Sequence, residues 1–543
     1  MTVEASRADS ATDGERPLSI ALLTYKGNPF CGGQGVYVRH LSRELARLGH
    51  RVEVIGSQPY PVVDDGVTLT ELPSLDLYRH PDPFRTPKRD EYRDWIDALE
   101  VGTMWTGGFP EPLTFSLRAR RHLRERRGEF DVVHDNQTLG YGLLGDVGAP
   151  LVTTIHHPIT VDRRLELDAA QGWQKRYSVR RWYGFTRMQK RVARRLPSVL
   201  TVSGTSRQEI VDHLGVRDDR IHVVHIGADT DLFAPDPAVP VVPGRIVTTS
   251  SADVPLKGLV YLVEALAKVR TEHAGAHLVV VGKQPAEGPV AQAIERYGLR
   301  GAVEFVKGIS DEELVALVRS AEVACVPSLY EGFSLPAAEA MATGTPLVAT
   351  TGGAIPEVAG TDGETCVAVP PGDAGALAAG LGRLLGDPEL RARLGAAGRE
   401  RVLSRFTWAR AAEGTVERYR EAMARNGSQG RTAGAAAGAA SSRAGGAGVG
   451  DAASSCAGGA GVGGAASSRA GGAGVGGAAS SRAEGAGVGD AGGESAVVRP
   501  VDGDPPSGGA QQAPYPSDRS SSEVSGVSTG VSPASTPESR TTC

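Results

Sequence analysis

The chain has 543 residues, 22% of them charged, and a formal net charge of -5. That length exceeds what one hydrophobic core organises, since domains hold roughly 100–200 residues, and the charge offers no global argument for nucleic acid or a polyanionic partner. Its five cysteines (Cys31, Cys325, Cys366, Cys456, Cys543) form no CxxC pair and no zinc spacing, which fits a reducing cytoplasm.

The lead, 1–16, is polar and expected to be disordered; its acids (Glu4, Asp9, Asp13, Glu15) and lack of an apolar stretch argue against a secretory signal. No run reaches the roughly 18 apolar residues of a membrane-spanning helix. The apolar run Leu18 to Thr24 reads as a buried strand, followed by the loop Cys31-Gly32-Gly33-Gln34-Gly35, a helix from about Val36 to Leu48 stopped by Gly49, and a strand from Arg51 to Ile55. Strand signals at Asp131 to His134, Leu151 to Ile155 and Ser198 to Val202 alternate with helical stretches. This is the pattern of a parallel sheet covered by helices, over a first domain at 17–226.

Residues 227–243 carry Pro235, Pro237, Pro240 and Pro243 and read as a linker. The alternation restarts over 244–405, with strands at Arg245 to Ser250, His277 to Val281, Val303 to Val306, Val323 to Val326 and Pro346 to Thr350. Helices are expected at about Gly258 to Arg270, Asp311 to Ser320 and Leu335 to Thr343. The fold class is therefore α/β, two doubly wound, Rossmann-like parallel sheets facing a crevice in which ligands lie beyond the carboxyl ends of the strands. A last helix over 406–425 is expected to cross back onto the first domain. The Ala/Gly/Ser-rich tail, 426–543, carries a 13-residue repeat starting at Ser441, Ser454, Ser467 and Ser480. It offers too little apolar surface to offset ordering entropy and is expected to be disordered.

The segment richest in chemistry is Glu331-Gly332-Phe333-Ser334-Leu335-Pro336-Ala-Ala-Glu339. A glycine-bearing loop entering a helix near Leu335 leaves backbone N–H groups and the positive helix end available to a diphosphate. Glu331 in the loop and Glu339 about one turn into the helix are then placed to hold a sugar and the ribose hydroxyls of a nucleotide. On local physics alone, two glutamates eight apart are more often solvated surface groups.

The whole string resembles the E-x7-E element of the family 4 retaining glycosyltransferases. The resemblance runs over most of 18–420 and includes Gly32-Gly33, Pro255-Leu256-Lys257-Gly258, Ser310-Asp311-Glu312-Glu313-Leu314, Thr351-Gly352-Gly353-Ala354-Ile355-Pro356-Glu357, Asp362-Gly363-Glu364 and Val369-Pro370-Pro371-Gly372-Asp373. It implies the GT-B fold and a retaining, metal-independent hexosyltransferase with no cofactor, a nucleoside-diphosphate sugar as substrate and an acceptor left open among lipid, glycan and small molecule. Gly32, Gly33, Lys257, Glu331, Gly332, Phe333, Ser334, Leu335 and Glu339 are the implied donor-binding residues. Glu331, His156 and Lys257 are the implied catalytic ones: Lys257 neutralises the departing phosphates, Glu331 sits beside the sugar, and His156, in Ile155-His156-His157-Pro158, positions hydroxyls and offers its carbonyl to developing positive charge. His134 and Asn136 are acceptor-side candidates. Taken singly, a helix-start lysine, a strand-end histidine or a glycine turn has a purely structural alternative in each case. The family's arginine five residues before the lysine is here Ala252, which puts the phosphate contacts in question.

Two further features carry rival readings. Asp229-Thr230-Asp231 spells a DxD element that could hold a cation in another transferase class, but in the linker it reads as a turn, and no metal is expected. Trp173 to Arg195 holds nine basic residues and no acid among its aromatics, which suits peripheral contact with an anionic membrane surface at the inner face of a cytoplasmic membrane. The alternative is an amphipathic helix with core aromatics and solvated charges. At the level of function, the rivals are a GT-B epimerase or phosphorylase and a catalytically silent sugar-nucleotide-binding protein.

Overall fold

In the run Ser19–Thr24 nearly every side chain is apolar and buried, so the strand has no solvent face and must sit inside a sheet covered on both sides. The computed structural model describes residues 16–27, 33–79, 82–250 and 254–444 and puts this strand, β1, in the interior of a seven-stranded sheet. Its other members are β2 (Arg51–Gly56), β3 (Val67–Glu71), β4 (Val132–Asn136), β5 (Leu151–Thr154), β6 (Val199–Thr201) and β7 (Ile221–Val223), in the order β3-β2-β1-β4-β5-β6-β7 and all parallel.

The second sheet repeats the plan with β8 (Val242–Thr249), β9 (His277–Val281), β10 (Val303–Val306), β11 (Ala321–Val326), β12 (Leu347–Thr350) and β13 (Val367–Val369), ordered β10-β9-β8-β11-β12-β13 and again all parallel. Both orders reverse direction beside the first strand of the sheet, between β1 and β4 and between β8 and β11. Each sheet therefore opens a crevice at the carboxyl ends of those strands. The α/β reading with two Rossmann-like domains is what the structure has. The strands that apolar periodicity failed to signal, β3, β7 and β13, all lie at sheet edges, where one flank lacks a partner and the apolar run is short.

The chain from Phe406 on returns to the first domain. Phe406 is fully buried and its carbonyl accepts from the Ala228 amide at 3.0 Å; Trp408 opens a helix, Trp408–Ala444, and stacks on His40 with ring centroids 5.0 Å apart. Farther along, the Tyr419 hydroxyl meets His134 Nδ1 at 2.6 Å, while His134 Nε2 meets Thr154 Oγ1 at 2.7 Å. Helix continues to Ala444, beyond residue 426, where the tail was expected to lose structure: the local sequence is alanine-rich, and alanine has the highest intrinsic helix propensity. The rest of the tail lies outside the described residues, as do residues 1–15. Among the described residues no helix is long and apolar enough to cross a membrane.

His134 is fully buried, and burial pushes its pKa down to about 3, so the ring is neutral, with one donor and one acceptor nitrogen for its two hydroxyl neighbours. Tyr419→Phe removes one of those neighbours and leaves a buried ring nitrogen unsatisfied. We expect a loss of about 1–3 kcal/mol of stability, read as a lowered thermal midpoint with the far-UV spectrum unchanged; an unaltered midpoint would show that the returning helix is not anchored through this bond.

Candidate active site

The second domain builds its share of the site by bringing two loops into close contact. Gly258 ends the turn Pro255–Lys257 with φ 66°, and a Cβ there would lie 2.0 Å from the Pro327 carbonyl oxygen. Only glycine allows that approach. The Leu329 amide then donates to the Leu256 carbonyl at 2.7 Å, and the turn is fixed against the segment leaving β11. As a result Lys257 Nζ lies 2.8 Å from Glu331 Oε1, and Ser328 Oγ donates to the same oxygen at 2.7 Å. From the other side Gly353, at φ 62°, packs where a Cβ would be 2.4 Å from the Glu331 carbonyl oxygen, and the Ala354 amide donates to that oxygen at 2.8 Å. Both the side chain and the backbone of Glu331 are thus held.

Immediately downstream, Ser334 precedes the helix Leu335–Ala342 with φ 94° and ψ 73°, a conformation costly for a residue with a Cβ. Its side chain caps no amide, and its hydroxyl is buried without a partner. First-turn N–H groups of a helix have no intrahelical acceptor, so this strained serine and the helix start present donors from one loop, and the Lys257 ammonium from the other. Glu339 stands one turn into the helix, half-buried. Phe333 is placed differently from a ligand contact: it is buried, with ring centroids 6.3 Å from His225 and 5.8 Å from Phe406, and anchors the loop to the interdomain core.

The first domain contributes residues past the ends of β4 and β5. His156 Nε2 donates to Asn136 Oδ1 at 2.8 Å, its amide donates to Gln137 Oε1 at 2.7 Å, and its ring stands edge-on to Tyr37 at 4.7 Å. Gln137, itself at φ 54°, also donates from Nε2 to the His157 carbonyl at 2.9 Å. His156 is half-buried, and burial, aided by His157 and His134, pushes its pKa down to about 3. His157 goes the other way: Asp162, 3.2 Å from its Nε2, raises its pKa against the effect of burial.

The two domains meet at Gly332. Its carbonyl accepts from Ser203 Oγ at 2.7 Å and from Ser206 Oγ at 3.3 Å, and the His156 carbonyl oxygen is 3.9 Å from where a Gly332 Cβ would stand. Lys257, Glu331, Gly332, Ser334 and His156 are therefore gathered at one place. His134 is not among them: it was expected on the acceptor side, but it sits inside the sheet with both ring nitrogens engaged. Asn136 is also fully buried and acts on His156 rather than on the cleft. Gly33 begins the helix Gly33–Arg47, and among the described residues a Cβ there would meet nothing within 4 Å. Gly32 and Ala252 lie outside the described residues.

Asp229 makes a turn, accepting from the Asp231 and Leu232 amides at 3.3 Å each, and pairs with Arg43 at 3.0 Å. In the basic segment, Tyr183 is buried while Trp173 and Tyr177 are 76% and 60% exposed, so its aromatics divide between core and surface. Residue-type reasoning missed Ser203, Ser206, Gln137 and Tyr37, whose roles are set by long-range contacts, and Ser328, whose partner Glu331 is three residues away. Among the first four, the available signal was Ser203, a helix-capping serine shortly after a strand.

Comparison with known proteins follows the same division. Residues 31–232 match Glycosyltransferase Family 4, and residues 240–401 match Glycosyl transferases group 1. An MMP alpha-(1->4)-mannosyltransferase of Mycolicibacterium hassiacum is 55% identical over 402 residues, 74% of this chain and 97% of the relative. A D-inositol 3-phosphate glycosyltransferase of Xylanimonas cellulosilytica is 30% identical over 444 residues, 74% of this chain and 97% of the relative. Among solved structures, sucrose-phosphate synthase from Thermosynechococcus elongatus shares the fold with a TM-score of 0.55 at 24% identity, over 75% of this chain and 99% of that one. The chain is a glycosyltransferase of the GT-B fold and belongs to glycosyltransferase family 4.

Proposed function

We propose that this glycosyltransferase moves a mannosyl group, with retention and without a metal, from a nucleoside-diphosphate mannose to the 4-hydroxyl of a sugar acceptor. The mannosyl group and the linkage are supported by the name of the relative that is 55% identical over nearly its whole length. Retention is what the E-x7-E resemblance implies. The observation that carries the donor site is the Lys257–Glu331 pair beside the strained, uncapped helix start at Ser334.

Cleavage of the bond between the anomeric carbon and the diphosphate builds negative charge on the departing oxygen. Lys257 and the first-turn amides supply fixed positive charge and dipoles there without reorganisation. In the unliganded pair Glu331 balances Lys257; when a donor phosphate takes the ammonium, Glu331 is left to accept from a sugar hydroxyl, still steadied by Ser328. Glu339 receives the ribose hydroxyls. On the opposite wall, His156 offers its backbone carbonyl to the developing positive charge of the sugar, and its ring, tied to Asn136, is a neutral group held in one tautomer. Gly33, which the family resemblance counts among the donor-binding residues, opens the helix Gly33–Arg47 of the first domain. Epimerisation and phosphorolysis use the same donor geometry without this acceptor, and a silent binder would hold the donor without turnover.

Lys257→Ala and Glu331→Ala should each lower kcat about 100- to 1,000-fold, the usual effect of removing one preorganised charge-stabilising group, with the thermal midpoint close to wild type. Transfer is measured with labelled nucleoside-diphosphate mannose and an α-(1→4)-linked manno-oligosaccharide, and the product anomer by NMR. Near-normal rates in either variant would sink the donor assignment, and a β-linked product would sink retention.

The depressed pKa of His156 has its own consequence. A histidine whose folded pKa lies below its unfolded value stays neutral until the pH falls toward the folded value. Its imidazole carbons should therefore hold neutral shifts from pH 8 down to pH 5 in an NMR titration, while His157 titrates above the ordinary histidine range. A His156 midpoint near 6.5 would restore it as a candidate base.

A second reading concerns location. Trp173 and Tyr177 stand exposed on a helix with exposed Lys175, Arg176 and Arg180, a face that complements anionic lipid. Co-sedimentation with phosphatidylserine vesicles that falls at least several-fold in Trp173→Ser/Tyr177→Ser would support a peripheral membrane contact; equal recovery of both proteins would remove it.

A further inference from the structure

Glu357 closes the Ile-Pro-Glu motif of the second domain, and the donor chemistry leaves it unused. It lies in the short helix Ile355–Ala359 and crosses to the first domain, where Oε2 accepts from the Gly204 amide at 2.7 Å and Oε1 accepts from both the amide and the hydroxyl of Thr205, each at 2.9 Å. Its own backbone is pinned from behind: Arg401 donates to the Glu357 carbonyl at 2.9 Å and to the Val358 carbonyl at 2.8 Å.

These contacts close a ring through the active site. From the Glu331 carbonyl the path runs to the Ala354 amide, along the short helix to the Glu357 carboxylate, across to Gly204 and Thr205, and through Ser203 and Ser206 back to the Gly332 carbonyl. Gly332 is bonded covalently to Glu331, the residue beside which the sugar is to lie, and it faces the His156 carbonyl. One carboxylate thus decides how the loop that carries Glu331 is presented to the wall that carries His156. Gly204 is exposed and Glu357 half-exposed, so water can replace these bonds when the domains part.

We infer that Glu357 is a positioning residue for glycosyl transfer, a carboxylate that docks the donor loop onto the Ser203–Ser206 segment and so sets the closed alignment of donor and acceptor walls. This rests on the donor site proposed above, but the residue itself touches no substrate. In the docked state water is excluded from the donor, and transfer outruns hydrolysis. When docking is weakened, nucleotide binding, most of whose proposed contacts lie on the second domain, persists while the alignment needed for transfer is populated less.

The test compares wild type with Glu357→Gln and Thr205→Val. The glutamine turns an amide NH2 toward one of two backbone donors, and the valine, near-isosteric at a partly exposed position, removes one hydrogen bond without opening a cavity. Expected for Glu357→Gln are a fall of about tenfold or more in kcat for transfer to an α-(1→4)-linked manno-oligosaccharide, a rise in the ratio of donor hydrolysis to transfer, and an unchanged Kd for the nucleoside diphosphate by calorimetry. Thr205→Val should shift in the same direction by about threefold, the worth of one modest hydrogen bond. In small-angle scattering with nucleoside diphosphate bound, the glutamine variant should have the larger radius of gyration. An unchanged hydrolysis-to-transfer ratio in both variants, or nucleotide affinity that falls in step with kcat, would overturn the inference. If the wild type turns over no nucleotide sugar, the donor assignment is what fails, and the scattering difference still decides whether Glu357 sets the alignment.

Discussion

The site depends on how a half-exposed ammonium is kept beside a mostly buried carboxylate. Lys257 and Glu331 are 74 residues apart in the chain, and a salt bridge at this depth gains little net stability, because desolvation of the two charges offsets much of their attraction. What fixes it is backbone: Gly258 against Pro327, Leu329 on Leu256, and Gly353 with Ala354 on the Glu331 carbonyl. Removing a donor at these points shifts a loop and not merely a side chain. The pair is therefore held in register by the scaffold, and in the proposed mechanism it stays balanced until a donor phosphate takes the ammonium.

The plan of two domains was legible because it is written in local signals. Central strands such as Ser19–Thr24 and His277–Val281 are apolar on both faces, and the glycine stop at Gly49 ends the first helix after its hydrophobic stripe. The edge strands β3, β7 and β13 lack that signal, since a strand with one open flank needs fewer apolar residues. The donor loop was legible as a string, whereas its partners were not. Nothing in Ser203 or Ser206 announces a bond to Gly332, more than a hundred residues away, because that proximity is created only by two sheets folding and facing each other.

The two histidines show the limit of motif reading at closer range. His134 and His156 each directly follow an apolar residue of a strand-like run, and both are held neutral by burial. They differ in where the strand stops. His134 lies within β4, paired in register with Leu22 and Val152, and its ring points into packed protein. His156 lies two residues past the end of β5, where the chain has left the sheet and the ring meets the Asn136 side chain and the cleft. A shift of four residues relative to the strand end separates a structural link to the returning helix from a wall of the proposed active site.

Support for that wall extends one layer further back. Asp135 is fully buried, burial pushes its pKa up to about 6, and its oxygens accept from the Thr138 and Leu139 amides, at 3.2 Å each. Those bonds brace a turn in which Gln137 and Leu139 both take positive φ. The strain is concentrated where the turn aims the Gln137 amide at His156 and His157. Asp135 thus braces, through one turn of backbone, the residue that holds the His156 amide and the His157 carbonyl. The first domain uses buried hydrogen bonds to fix its side of the cleft, the second uses close glycine contacts to fix Glu331, and the carbonyl of Gly332 is where the two constructions are joined.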